Sequence, residues 1–156
     1  MQIEMLIKGL MVDPVTSMPI IILRDRDGER VLPIWVGVFE ANAIALQIEN
    51  IATPRPMTHD LLRNVLKGLN ATVQRIVVSD LKDNTFYALI YVQCGGEVVA
   101  IDARPSDAIA LALRTQAPIY VEEHVIDHAK SIDFSPDKTD SSRLQRWLES
   151  LDPEEL

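Results

Sequence analysis

The stretch Glu97-Val98-Val99-Ala100-Ile101-Asp102-Ala103-Arg104-Pro105-Ser106-Asp107-Ala108-Ile109-Ala110-Leu111-Ala112-Leu113-Arg114 decides the fold, because it changes period in the middle. Glu97 to Ala103 is a strand-like run, whereas Pro105, whose fixed φ and missing N–H suit the first turn of a helix, opens a helix that continues through Arg114. The small residues Ala108, Ala110 and Ala112 let that helix approach a sheet or a partner subunit closely. Upstream lie two more strand-like runs, Thr72 to Leu81 and Thr85 to Cys94. Their separators, Lys82-Asp83-Asn84 and Gly95-Gly96, are short enough to make the three runs an antiparallel meander.

Towards the N-terminus, Ile3, Met5 and Ile7 alternate with Gln2, Glu4 and Lys8, the period of a half-buried strand running to Val12. Pro19 to Arg24 and Val31 to Val36 flank Asp25-Arg26-Asp27-Gly28, a tight turn with glycine where positive φ is needed, so they read as a hairpin. Ala41, Ile44, Ala45 and Ile48 then recur at helical spacing up to Asn50. The segment Ala52 to Pro56 must be extended, since each proline disfavours helix in the residue before it. Thr58, a good N-cap, starts a second helix with Leu61, Leu62, Val65 and Leu66 inward and Gly68 as its stop. After the third helix, Ile119 to Val121 is a short strand and Glu122 to Lys130 a helical segment. Ser141 to Leu151 forms a C-terminal amphipathic helix with Leu144, Trp147, Leu148 and Leu151 on one stripe. Hairpin, two helices, meander, third helix, short strand and C-terminal helix make an α+β fold, with one domain over 1–130 and an acidic linker and helix over 131–156.

The chain has 156 residues, 47% hydrophobic and 24% charged, which suits a soluble globular domain and excludes collagen-like and wholly disordered classes. Its formal charge of −8 argues against a broad basic surface that coats nucleic acid or an anionic membrane. Ten acidic and four basic residues of that balance fall in Glu122 to Leu156, leaving Met1 to Val121 nearly neutral with 13 acidic and 11 basic. A lone cysteine, Cys94, cannot make an internal disulfide, and its place in an apolar run predicts a buried thiol. Neither a signal peptide nor a membrane span is evident, so the expected compartment is the cytoplasm.

No Gly-rich phosphate loop, dinucleotide fingerprint, His-Glu-x-x-His or nucleophile elbow is present. Candidate chemistry collects instead at helix starts: Glu40 at the first, His59 and Asp60 at the second, and Asp102, Arg104, Ser106 and Asp107 before the third. A helix N-terminus offers free N–H groups and positive potential to an anion. Arg104 suits a bidentate clamp on phosphate or carboxylate, Ser106 can donate to it, and Asp102 with Asp107 can offer oxygen ligands to a divalent cation. The same residues also suit a purely structural joint, in which Ser106 or Asp107 caps the helix and Arg104 pairs with Asp102 or Asp107. His59 next to Asp60 has both a general-base and a capping reading, and Glu40 alone complements the dipole. His124 and His128 are four apart but have no evident third partner for zinc. An echo links Arg55-Pro56-Met57-Thr58-His59-Asp60 with Arg104-Pro105-Ser106-Asp107, so two helix starts are built from similar parts.

Leu32-Pro33-Ile34-Trp35-Val36-Gly37 with Glu40-Ala41, then Arg55 to Leu61, Asp80 to Ala88 and above all Ile101 to Ala112, resemble the bifunctional nuclease domain family over about Met1 to Lys130. The resemblance implies a compact α+β homo-oligomer acting as a nuclease on RNA, DNA or both. A phosphodiesterase mechanism that would fit uses carboxylates among Glu40, Asp60, Asp102 and Asp107, with Asp102 and Asp107 foremost, to hold Mg²⁺ or Mn²⁺. Arg104, Ser106 and Arg55 would bind substrate phosphate, and His59 would serve as general base or acid. It requires the two Arg-Pro helix starts to converge in space. The alternative is a non-catalytic oligomeric module that uses the same junction to bind an anion or nucleotide.

Overall fold

A computed structural model describes residues 1–130, so the expected helix Ser141–Leu151 and the linker before it lie outside the described residues. Strands β1 (Gln2–Val12), β2 (Pro19–Asp25) and β3 (Val31–Trp35) form one antiparallel meander, and β4 (Ala71–Lys82), β5 (Thr85–Cys94) and β6 (Glu97–Ala103) form another. The short β7 (Ile119–Glu122) joins them, antiparallel to β1 and parallel to β4, giving the order β3-β2-β1-β7-β4-β5-β6. A parallel neighbour needs a crossover, and helix α3 (Pro105–Thr115) supplies it. The other helices are α1 (Val38–Ile48), α2 (Thr58–Gly68) and α4 (Glu123–Ala129). None of the described helices is long and apolar enough to cross a membrane.

Local chemistry sets the turns as the sequence predicts. Gly28 takes φ +75° and donates its N–H to Asp25 O, while the Asp25 carboxylate accepts from Glu29 and Arg30. Asp83 and Asn84 both adopt left-handed φ, the demand of a two-residue hairpin turn whose twist matches its strands. Asp13, almost fully buried, accepts from the Val15 amide, the Thr16 hydroxyl and the Trp35 indole, tying the first loop to β3.

The core lies between the sheet and α3. Ile76 and Val78 on β4, Val121 on β7 and Ala108 to Ala110 on α3 are wholly inaccessible to solvent. Burial at that level contributes roughly 1.5–3 kcal/mol per large aliphatic side chain. The alanines let α3 sit down on β4 and β5, with α1 and α2 packed against its other sides.

Three expectations are corrected. Cys94 is exposed: it keeps the inward parity of Ile90 and Val92 but is the last residue of β5, beside the Gly95-Gly96 turn. The N-cap of α2 is Met57 rather than Thr58, and its N–H donates to the Asp60 carboxylate at 3.0 Å. Most consequential, Leu61, Leu62 and Val65 are 57%, 39% and 47% exposed, leaving Leu66 as the member of the expected inward stripe that packs on the core. The helix is tied to the fold through its polar flank, His59 and Asp60, for a reason that lies in α3.

Candidate functional site

That reason is Arg114. Its side chain, 2% exposed, runs from the last turn of α3 into the helix layer, where Nε donates to Asp60 Oδ1 at 2.7 Å, Nη1 to Ala110 O and Nη2 to Ala43 O. One guanidinium therefore fastens α1, α2 and α3 together. Asp60 uses its second oxygen on the Met57 amide, so both of its acceptors are engaged in building the joint. The Met57 hydrogen bond, with the pairing to Arg114 after it, holds the Asp60 carboxyl below its ordinary range despite the opposing effect of burial. Arg114 went unnoticed in the sequence because an arginine in the last turn of a helix ordinarily complements the dipole from the surface.

With α2 so fixed, the starts of three helices converge. His59 Nε2 lies 2.9 Å from Asp107 Oδ1 in the first turn of α3, and Arg104, the N-cap residue of α3, reaches Asp107 Oδ2 through Nε at 3.1 Å and Nη2 at 3.0 Å. Arg104 Nη2 also donates to Glu40 Oε1 at 2.8 Å, in the first turn of α1. The chain Glu40–Arg104–Asp107–His59 thus brings together residues drawn from both Arg-Pro helix starts. Glu40 folds over Gly37, where a β-carbon would collide with Oε2, so the glycine keeps this carboxylate in place for Arg104.

The electrostatics assign the protons. Burial opposes the charge on Asp107, but hydrogen bonds from His59 and Arg104 prevail and hold its carboxyl below the ordinary value. An ionised Asp107 can only accept, so the proton on the shared hydrogen bond belongs to His59 Nε2 and, in the neutral ring, Nδ1 keeps its lone pair. Hydrogen bonds to Asp107 and Glu40 push Arg104 above its already high value, fixing its charge. His59 is 12% exposed and Glu40 18%, whereas Arg104 is 68% exposed, so the cluster opens to solvent at the guanidinium.

The other expected site residues are placed differently. Asp102 opposes Leu89 in the β5–β6 register while Ala103 opposes the buried Ala88, so side-chain alternation puts Asp102 on the sheet face away from the helices. It is exposed, and the structure does not bring it to Asp107. Ser106 is buried in the first turn of α3, and Arg55 lies in the extended segment before α2. Among the described residues no group of three His, Cys, Asp or Glu side chains is arranged to hold a metal ion.

Two stability predictions follow from this joint. Arg114→Ala strands Asp60 and two carbonyls, and urea unfolding should show a loss of roughly 3–5 kcal/mol, the usual penalty for breaking a buried pair; a loss under 1 kcal/mol would refute the role given to Arg114. Asp13, Asp60 and Asp107 all have carboxyls below the ordinary 3.8. Their contribution is complete above that value and disappears as pH falls through the lower folded-state values. The urea midpoint should therefore drop steeply on acidification from about pH 5 to about pH 2.5, less so in Asp60→Asn.

Comparison with known proteins gives the chain a family. A family model of the bifunctional nuclease domain matches residues 21–133, spanning all four residues of the Glu40–His59 chain. An uncharacterized protein of Mycobacterium tuberculosis is 36% identical over 165 residues, covering 98% of this chain and 97% of its own length. Bifunctional nuclease 1 of Oryza sativa subsp. indica is 27% identical over 109 residues, 67% of this chain, and Bifunctional nuclease 1 of Arabidopsis thaliana is 27% identical over 111 residues, 69% of this chain. The match takes in only 33% and 34% of those plant proteins, so the likeness to them is that of a shared domain. From the match over most of its length, the chain belongs to the bifunctional nuclease domain family.

Proposed function

We propose that the chain hydrolyses phosphodiester bonds of RNA, DNA or both, using the His59–Asp107 pair as its acid–base element and Arg104 as its phosphate clamp. The observation that carries this reading is the 2.9 Å contact between His59 and an ionised Asp107 beside an exposed guanidinium. Asp107 fixes the tautomer, and Nδ1 takes a proton from the attacking water or from a ribose 2′-hydroxyl as its oxygen closes on phosphorus; the P–O bond to the leaving oxygen breaks, and that alkoxide takes a proton from solvent. Arg104 uses Nε and Nη2 on its carboxylates, which leaves Nη1 to meet a phosphate oxygen. Glu40 positions that guanidinium, and Asp60 acts through the joint with Arg114 rather than on substrate.

A divalent cation fits the residues less well. Asp102 and Asp107 lie apart, and Arg104 sits between the carboxylates of Glu40 and Asp107, so a guanidinium occupies the place where these carboxylates would share Mg²⁺ or Mn²⁺. In an assay on a labelled RNA and a labelled single-stranded DNA, His59→Ala is expected to lower turnover by roughly 10²–10⁴-fold, with Arg104→Ala raising KM as well. Parallel reactions with EDTA, Mg²⁺ and Mn²⁺ report the metal requirement. Activity that survives both substitutions at unchanged yield belongs to a contaminant, and the site is then a binding module for anions.

We propose a surface for the self-association that the family resemblance implies. Strand β6 is an edge of the sheet, and Val98, Val99 and Ile101 on it are 49%, 44% and 43% exposed although the last two share the inward parity of Val92 and Ile90. The apolar stretch Val98 to Ile101, between Glu97 and Asp102, invites edge pairing, and under a two-fold axis an antiparallel edge is its own complement. We assign this edge to a second copy of the chain. Light scattering at micromolar concentration should show a dimer that Val99→Lys converts to a folded monomer; a monomeric wild type would rule out the assignment.

A further inference from the structure

Charge is concentrated a second time on α2, away from the His59–Asp107 pair. A cavity of about 390 Å³ opens between the C-terminal half of α1, the extended segment 51–56 and α2. Arg55, Arg63 and Arg114 are among its lining residues, against a single acidic residue, Asp60. Asp60 is already engaged by Arg114 at 2.7 Å. Arg63 donates to Asn64 Oδ1 at 3.2 Å, a neutral acceptor, and among the described residues no acidic side chain comes within ion-pair distance of Arg55 or Arg63. Arg63 acts on Asp60 only through space, and three arginines against that one carboxylate, in a chain of charge −8, leave a local positive excess that an anion would neutralise.

The rest of the wall narrows the class of anion. Ile51 and Pro54 give it an apolar side, while Gln47 and Asn50 bring amide groups that both donate and accept. A bare phosphate or sulfate would use the arginines and leave these idle. The volume is near the lower end for small-molecule sites, enough for one nucleotide rather than several. The position is also particular, since Arg63 is four residues from His59 and three from Asp60, so successive turns of one helix present the cavity and the His59–Asp107 pair.

We propose that this cavity binds one nucleoside monophosphate unit, with its phosphate on Arg55 and Arg63 and its base between the apolar wall and the amides of Gln47 and Asn50. The Asp60–Arg114 pair is the rigid back of the site, fixing the helix from which Arg63 projects. Binding requires neither His59 nor Arg104 and so stands apart from the hydrolytic reading; only a nucleotide unit within a polymer rests on that reading.

Isothermal titration of the full chain with AMP, UMP, adenosine and inorganic phosphate tests the proposal, alongside a hexanucleotide with non-hydrolysable linkages. The mononucleotides are expected to bind at least tenfold more tightly than adenosine or phosphate alone. Arg55→Ala and Arg63→Ala should each weaken AMP at least tenfold while circular dichroism is unchanged, and His59→Ala should leave AMP binding intact. Parallel loss of hexanucleotide affinity in Arg63→Ala would identify the occupant as a unit of a polymer, and retained hexanucleotide affinity a free nucleotide; both support the site. No AMP binding at millimolar concentration, or binding indifferent to both arginine substitutions, would overturn it. Abolished AMP binding in Arg63→Ala together with an inactive but folded wild type would refute the nuclease reading alone.

Discussion

The helix layer depends on the buried guanidinium of Arg114. It satisfies one carboxylate and two main-chain carbonyls from three helices, and each of those acceptors would be costly to leave unpaired away from water. Packing alone does not explain the position of α2, because Leu61, Leu62 and Val65 remain exposed and Leu66 is left to touch the core. The helix is oriented by directional bonds from its polar flank. Such bonds fix rotation as well as position, which an apolar contact does only loosely. A side chain two residues from the exposed Met57 can therefore be aimed at a carboxylate on another helix to hydrogen-bond accuracy.

The polar chain from Glu40 to His59 follows from the same geometry. Helix N-termini favour nearby negative charge, and here two first-turn carboxylates from different helices, Glu40 and Asp107, share one guanidinium. Arg104 lowers the electrostatic cost of bringing them together, and Asp107 in turn sets the tautomer of His59. Each member has a structural partner, while Arg104 keeps Nη1 and His59 keeps Nδ1 outside those bonds. A structural joint and the proposed reactive site are thus not competing descriptions of these residues. The joint holds these atoms still, which is the condition that preorganised acid–base chemistry would need.

Strand and helix order was legible in the sequence because period and punctuation agreed along most of it: alternation in Gln2 to Val12, Pro105 at a helix start, Gly28 and Asp83-Asn84 at turns. The convergence of the two Arg-Pro starts was legible only as a requirement of the mechanism. What failed did so for spatial reasons. Apolar spacing in α2 reveals that a stripe exists, not which surface it faces, and Leu61, Leu62 and Val65 face solvent. Asp102 and Asp107 are close in sequence, yet a strand-to-helix boundary lies between them, and strand alternation turns Asp102 to the opposite sheet face. Arg114 carried no local signal beyond its occurrence at the end of an alanine-rich apolar helix.

The charge balance points the same way as the geometry. Nucleic-acid affinity that arises from many phosphate contacts requires many uncompensated cations on one surface. Residues 1–121 have 11 basic side chains against 13 acidic, and several of the basic ones are engaged: Arg114 with Asp60 inside the helix layer, Arg104 in part with Glu40 and Asp107 at the surface, Arg26 with Glu4, and Arg75 with the face of Tyr91 at 4.0 Å. Recognition of a phosphate-bearing ligand must then be local, made by a few arginines held at fixed positions rather than by a diffuse field. Around α2 the two proposed sites would meet that condition, one where Arg104 opens to solvent beside His59, and one where Arg55 and Arg63 line a cavity with no acidic side chain at ion-pair distance from either among the described residues. The sites lie within about two helical turns of one another on a helix whose rotation Arg114 fixes, so a change at this one residue should disturb both together.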